Sequence, residues 1–416
     1  MPVTFQHATL PNGLTVIAEV DPEAHTAAAG FFVKTGARDE ASPLMGVSHF
    51  LEHMMFKGTD QRSAEELNRQ FDLIGARNNA YTTSELTCFY ASVLPERLLG
   101  AGGAVDLLAD MMRPALREED FDTEKKVILE EIAMYEDNPF WVLYERQMEE
   151  HYGEHPLAHR VLGTNETISA MTAAQMRDYF TARYSADNTV VALAGRLDFD
   201  AAVAQIERQC GGWQRTGAAR DHGSPRFRDH EFTLRSEKVN RAYAMMLAPA
   251  PAIGDDRRYA ASLLAQVLGG PDNSRLHWAL VEPGIAEEAE AGYDPRDGVG
   301  DYMISVSCDP GRVDEAWAIV ERELAALGES LTEDDLARIR SKLATGVTVA
   351  GERPGGRMQR LGRLWTYLGG YTTLEEELER INAVTVADVR RVLEEFPMRP
   401  RTIGRLLPAA RGGRIG

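Results

Sequence analysis

The chain has 416 residues, of which 44% are apolar and 26% charged, and a formal net charge of −19. That length suffices for two or three domains with sizeable cores, and the composition excludes a wholly disordered or collagen-like chain. So large an excess of acid argues against nucleic acid or an anionic membrane surface as the main partner, because both are repelled.

Residues 1–7 hold neither a basic start nor an apolar run, and no apolar stretch approaches the roughly 20 residues that span a bilayer. The expectation is a soluble, cytoplasmic protein, unless a leader has been removed. Asn12-Gly13 is a hairpin signal, followed by β-rich runs over 14–18 and 29–34. A loop with Gly36, Ser42, Pro43 and Gly46 precedes a helix predicted over 47–57, for which Ser48 offers an early cap. Further helices are predicted over 64–74, 98–112, 118–135 and 173–180, and a strand over 189–194. Mixed strands and helices without strict alternation point to an α+β fold. Cys88, Cys210 and Cys308 form no Cys-x-x-Cys pair, which argues against a disulfide framework or a thiolate zinc site.

Between 215 and 231 the sequence turns polar and small and is broken by Gly217, Gly223 and Pro225, as a linker is. It separates 1–214 from 232–416. Segment 92–97 recurs loosely as 307–312 and segment 116–120 as 331–335, both at a spacing of 215 (95 to 310, 116 to 331). A shared spacing predicts a duplicated domain.

The chemistry concentrates in His49-Phe50-Leu51-Glu52-His53. On a helix, His49 and His53 lie one turn apart on one face, within reach of a single metal ion, and Glu52 projects near the same side. Phe50, Leu51, Met54 and Met55 anchor the helix. Zinc in a catalytic site takes three protein ligands, so a carboxylate from another element is required. The helix over 118–135 and its end offer Glu124, Glu130, Glu131 and Glu136. Glu124 and Glu131 are seven residues apart on one face, so that one can ligate and the other support. His151, His155 and His159 also recur every four residues, but Gly153 and Pro156 interrupt any helix, and they read as loop surface.

These residues, with Lys57-Gly58-Thr59, a segment 75–83 that ends Asn79-Ala80-Tyr81-Thr82-Thr83, Gly163-Thr164-Asn165-Glu166-Thr167 and Tyr184-Ser185-Ala186-Asp187-Asn188, resemble the pitrilysin/insulinase family of inverzincin zinc metallopeptidases. The likeness covers most of 1–200 and is strongest to half-length bacterial members similar to the β subunit of mitochondrial processing peptidase. It implies two homologous α/β domains, each a mostly antiparallel sheet with helices packed on it. The first is a zinc-binding catalytic domain and the second a non-catalytic wall of a substrate chamber. It implies one Zn2+ per chain held by His49, His53 and a helix glutamate with a supporting glutamate seven residues before it. Glu131 with Glu124 fits that rule; Glu130, the alternative, has Thr123 at that position. Glu52 is then the general base, and Asn79, Ala80 and Tyr81 form an edge strand that pairs with an extended peptide.

In the second half, Ala261, Leu264 and Ala265 stand opposite His49, Glu52 and His53, and Gly346 opposite Glu131. Active relatives carry an Arg and a Tyr in this half. Val281 and Glu287 occupy those positions here, and Tyr293 is wrongly spaced to substitute. The resemblance therefore predicts an endopeptidase for short or unfolded peptides, dimeric with a zinc-lacking paralogue or with itself. A non-catalytic scaffold of the same fold is the alternative. Arg357, Arg360 and Arg363 read as a solvated helix face.

Overall fold

The protein is described from a computed structural model over residues 3–409. The first turn works as its sequence dictates. β1 (Thr4–Thr9) and β2 (Thr15–Val20) pair antiparallel around Asn12-Gly13. Asn12 Oδ1 accepts the Leu14 amide at 3.2 Å, and Gly13 takes φ +91°, which a side chain would resist. β3 (Ala27–Val33) is apolar at every position and buried throughout, and so becomes a central strand. With β4 (Arg77–Thr82), β5 (Thr87–Val93) and β6 (Thr189–Gly195) it forms a sheet of order β1-β2-β6-β3-β5-β4, in which only β2/β6 is parallel.

A second sheet uses β7 (His230–Ser236), β8 (Ala242–Ala250), β9 (Ala286–Pro295), β10 (Gly300–Cys308) and β11 (Thr402–Pro408). Its order is β7-β11-β8-β10-β9, and only β7/β11 is parallel. The spacing of 215 recurs in the helices. Glu118–Glu136 is matched by Glu333–Glu352 (118 to 333), and Pro139–Tyr152 by Pro354–Leu368 (139 to 354).

Those last two helices are exchanged. Pro139–Tyr152 packs on β8 and β11, whereas Pro354–Leu368 packs on β3 and β6. Met358 and Leu361 join Ile17, Phe32, Cys88 and Ala192 in one buried cluster, the burial of each Met, Leu, Ile or Phe side chain contributing about 1.5–3 kcal/mol. Gly362 allows the close approach, since a Cβ there would collide with the Phe32 ring. The compact units are accordingly interleaved. One comprises Met1–Ile132, His159–Asp221 and Thr348–Thr372; the other comprises Ala133–Ala158, His222–Val347 and Thr373–Gly416, over the described residues. A single cut at 215–231 does not reproduce this division, because apolar helix faces follow the sheet that buries them and not the order of the chain.

Other expectations change locally. The helix predicted over 98–112 begins only at Ala104, because Gly100 and Gly102 adopt φ +89° and +71°. Of the histidine trio only His159 stays partly exposed in a loop; the other two are buried. His151 ends the Pro139–Tyr152 helix, buried, with Nδ1 3.1 Å from Thr402 Oγ1 and Nε2 3.4 Å from Asp301 Oδ1. His155 is buried against the His222 carbonyl at 2.8 Å, and His159 bonds the Ala37 carbonyl at 3.0 Å. Three rings with three separate partners do not converge. Nor do all three arginines line a solvated face: Arg360 is paired with Glu19, and Arg357 lies 3.8 Å from Asp21.

Candidate metal centre

The helix Val47–Met55 starts at Gly46, which has φ +94°. Its cap is not Ser48, whose buried hydroxyl instead meets Tyr179 Oη at 2.8 Å. The Glu40 carboxylate, from the preceding loop, accepts the Gly46 and Ser48 amides at 2.7 Å each. Burial pushes that carboxyl up to about 8 against the opposing pull of these amides, so it serves the helix start as a hydrogen-bond acceptor. Phe50, Leu51, Met54 and Met55 are buried, and Phe50 stacks on Phe121 with centroids 4.7 Å apart, which ties this helix to Glu118–Glu136. The remaining face carries His49, Glu52 and His53.

Across that gap stands Glu131. Its Oε1 is 3.8 Å from His49 Nε2 and its Oε2 3.6 Å from His53 Nε2. The three donor atoms lie within 4.8 Å of one another. Glu130, about 100° round the helix from Glu131, is exposed, as is Glu136 at the helix end; neither joins the group. Glu124, one of the buried residues of the helix, sits behind His53, with Oε1 2.9 Å from Nδ1, and also pairs with the Lys57 ammonium. This contact fixes the ring so that Nε2 faces Glu131.

The electrostatics sort these groups. Burial, then the neighbouring His53, push His49 down to about 3, so its ring is neutral with a lone pair available. At His53 burial disfavours charge, but the Glu124 hydrogen bond and the Glu131 charge outweigh it and hold the ring above its ordinary value. Burial raises Glu124 less than the His53 and Lys57 bonds lower it, which leaves it below the usual carboxylate range. Glu52 stands apart from the converging donors. Burial pushes its carboxyl up, opposed by the Thr82 hydroxyl, which donates to Oε2 at 2.6 Å. Two neutral-capable imidazoles and one carboxylate are a donor set suited to zinc, and a supporting carboxylate behind a ligating histidine is a common companion.

β4 ends beside this group. Among the described residues it pairs only with β5, in a register that sets Asn79 against Tyr90, Ala80 against Phe89 and Tyr81 against Cys88, and its other side is the sheet edge. Asn79 Oδ1 accepts the Ala80 amide at 2.9 Å. Thr82 and Lys57 gain their contacts here without any local sequence signal for them. Glu40 likewise reaches the helix start from a loop.

Residues 15–165 match the family described as insulinase (peptidase family M16), and residues 170–343 match the peptidase M16 inactive domain. The chain belongs to the M16 family. An uncharacterized zinc protease of Mycobacterium tuberculosis is 33% identical over 399 residues, covering 93% of this chain and 89% of that one. Among solved structures, a protease from Helicobacter pylori superposes with a TM-score of 0.90 at 19% identity, covering 98% of this chain and all (100%) of that one. A chain of Complex III2 from Candida albicans gives a TM-score of 0.84 at 19% identity, covering 97% and 95%. These two structural likenesses speak for the M16 fold in both halves.

In the M16 half matched as inactive, Val281 is partly buried against the second core, and Glu287 pairs with Arg241. The Tyr293 hydroxyl donates to the Pro251 carbonyl at 2.7 Å and is therefore engaged within its own unit. No helix among the described residues is long and apolar enough to cross a membrane.

Proposed function

We propose that this M16 chain is a zinc-dependent endopeptidase acting on short or unfolded peptides. In this reading His49, His53 and Glu131 hold one Zn2+, Glu124 orients His53, and Glu52 is the general base. The observation that carries it is the juxtaposition of three convergent donors with a further carboxyl group, that of Glu52, left outside them and raised by burial. When bound, the metal supplies positive charge that makes water a nucleophile near neutral pH and polarises the scissile carbonyl. Glu52 takes the proton from the attacking water and returns it to the leaving amine nitrogen. Thr82, donating to the Glu52 carboxylate, holds that oxygen pair in one orientation. The open edge of β4, with Asn79, Ala80 and Tyr81, receives the peptide as an added strand that ends next to Glu52.

The same reading places the chain in the cytoplasm and gives it a dimeric partner, either a zinc-lacking paralogue that brings the Arg/Tyr pair or a second copy. It rests on Val281 and Glu287 standing where relatives have that pair. Robust cleavage by the purified chain at monomer mass would remove the need for a partner. A non-catalytic scaffold is the second reading, favoured by the likeness to a chain of Complex III2. Glu52→Gln separates the two: zinc stays at one per chain by elemental analysis, while cleavage of an unfolded peptide falls by about 10²–10⁴-fold. Wild-type protein with neither zinc nor cleavage would decide for the scaffold.

A further inference from the structure

We propose that this site selects peptides bearing acidic side chains, through the Arg77 and Arg363 guanidinium groups that flank β4. The inference rests on the reading above, that a peptide pairs with the open side of that strand.

Strand alternation divides β4 into two faces. Thr82, with Ala80, faces the helix that carries Glu52. Arg77, Asn79 and Tyr81 share the opposite face, where the Tyr81 hydroxyl donates to Gln359 Oε1 at 2.8 Å. Gln359 belongs to the helix Pro354–Leu368, and Arg363 is one turn further along the same side. Its guanidinium carbon is 5.9 Å from the Tyr367 ring centroid, and its charge acts on the Tyr81 hydroxyl. Arg363 is therefore held beside Tyr81 at the Thr82 end of the strand. Arg77 stands at the other end, opposite Ser92. Four residues of strand separate Arg77 from Tyr81, about 13 Å.

Both arginines are exposed, and among the described residues neither has a carboxylate within 4.0 Å. Arg363 differs in this from the other arginines of its helix, where Arg360 pairs with Glu19 and Arg357 lies near Asp21. Glu85, which acts on the neighbouring Tyr367, is buried and already paired with Arg38 and Arg220. In a chain of net charge −19, two exposed guanidinium groups without acids on one face of an edge strand form a local reversal of sign. An added peptide strand turns every second side chain to that face. A Glu or Asp there meets a planar donor suited to carboxylate, and a Lys meets repulsion.

The test uses the full-length zinc-loaded protein and C-terminally amidated peptides that differ only in Glu, Gln or Lys at alternate positions. Expected is a Glu-over-Lys ratio in kcat/KM of about tenfold or more at one alternate set of positions, reduced by salt. Arg363→Glu should invert that ratio, and Arg77→Glu should do the same at a position about four residues away. A ratio unmoved by either charge reversal, with cleavage retained, overturns the proposal. Anisotropy of the same peptides, labelled, on the Glu52→Gln protein separates recognition from hydrolysis. Glu-selective binding that Arg363→Glu removes upholds acidic selection even if no peptide is cut. Equal binding of Glu and Lys peptides, or of neither, overturns it.

Discussion

β2-β6-β3-β5-β4 in one unit and β7-β11-β8-β10-β9 in the other follow one strand order, each with a single parallel pair at the same place. The apolar pattern that builds this sheet is kept in both, and the chemistry is kept in one. Where the first half has His49, Glu52 and His53 on Val47–Met55, the helix Arg258–Gly269 has Ala261, Leu264 and Ala265, all buried. Where Glu118–Glu136 has Glu124 and Glu131, Glu333–Glu352 has Ile339 and Gly346 (124 to 339, 131 to 346). Fold and site are thus separable in a single chain: five strands keep one order in both halves, while the polar donors stand in one.

The comparison also separates two kinds of buried histidine. His49 and His151 are both pushed down to about 3, chiefly by burial. His49 faces two further donors. His151 is enclosed between Thr402 and Asp301, whose charge Arg296 and the Tyr152 hydroxyl already offset. A depressed value alone does not mark a site; convergence of donor atoms does.

Several measurements bear on this contrast. The most drastic is His53→Ala, which should make the first half as inert as the second: zinc per chain falls toward zero by elemental analysis and cleavage falls to background, with the circular dichroism spectrum kept. Glu124→Gln leaves all three donors in place but frees the His53 ring, so the zinc dissociation constant, read by chelator competition, should rise about 10–100-fold. The smallest effect belongs to the second unit. The His151 ring binds its proton only near pH 3 when folded but at about 6.5 when unfolded. Its contribution to stability is therefore complete above about pH 6.5 and is lost as pH falls toward 3, with a slope of up to about 1.4 kcal/mol per pH unit. In denaturant melts between those limits, His151→Gln should lose stability less steeply with acid than wild type; parallel curves would exclude the assignment.

Part of the candidate site could be anticipated because it is local: helix spacing alone puts His49, Glu52 and His53 near one face, whereas the choice of Glu131 over Glu130 rests on the resemblance, whose supporting glutamate seven residues earlier is met by Glu124. The duplication was legible from two short matches at one spacing. What was not legible is what depends on distant chain: Thr82 on Glu52, Glu40 instead of Ser48 at the helix start, and the partners of His151, His155 and His159. Helix Pro139–Tyr152 shows the limit most plainly. An amphipathic stripe states that a face must be covered, but not by which sheet.

That exchange has a consequence for biosynthesis. As the polypeptide leaves the ribosome, strands β1–β6 are complete once Gly195 has emerged, yet Ile17, Phe32 and Ala192 remain bare on one side until Met358 and Leu361 follow. The native cover of that apolar face is thus made last, and a chain cut before Pro354 would lack it.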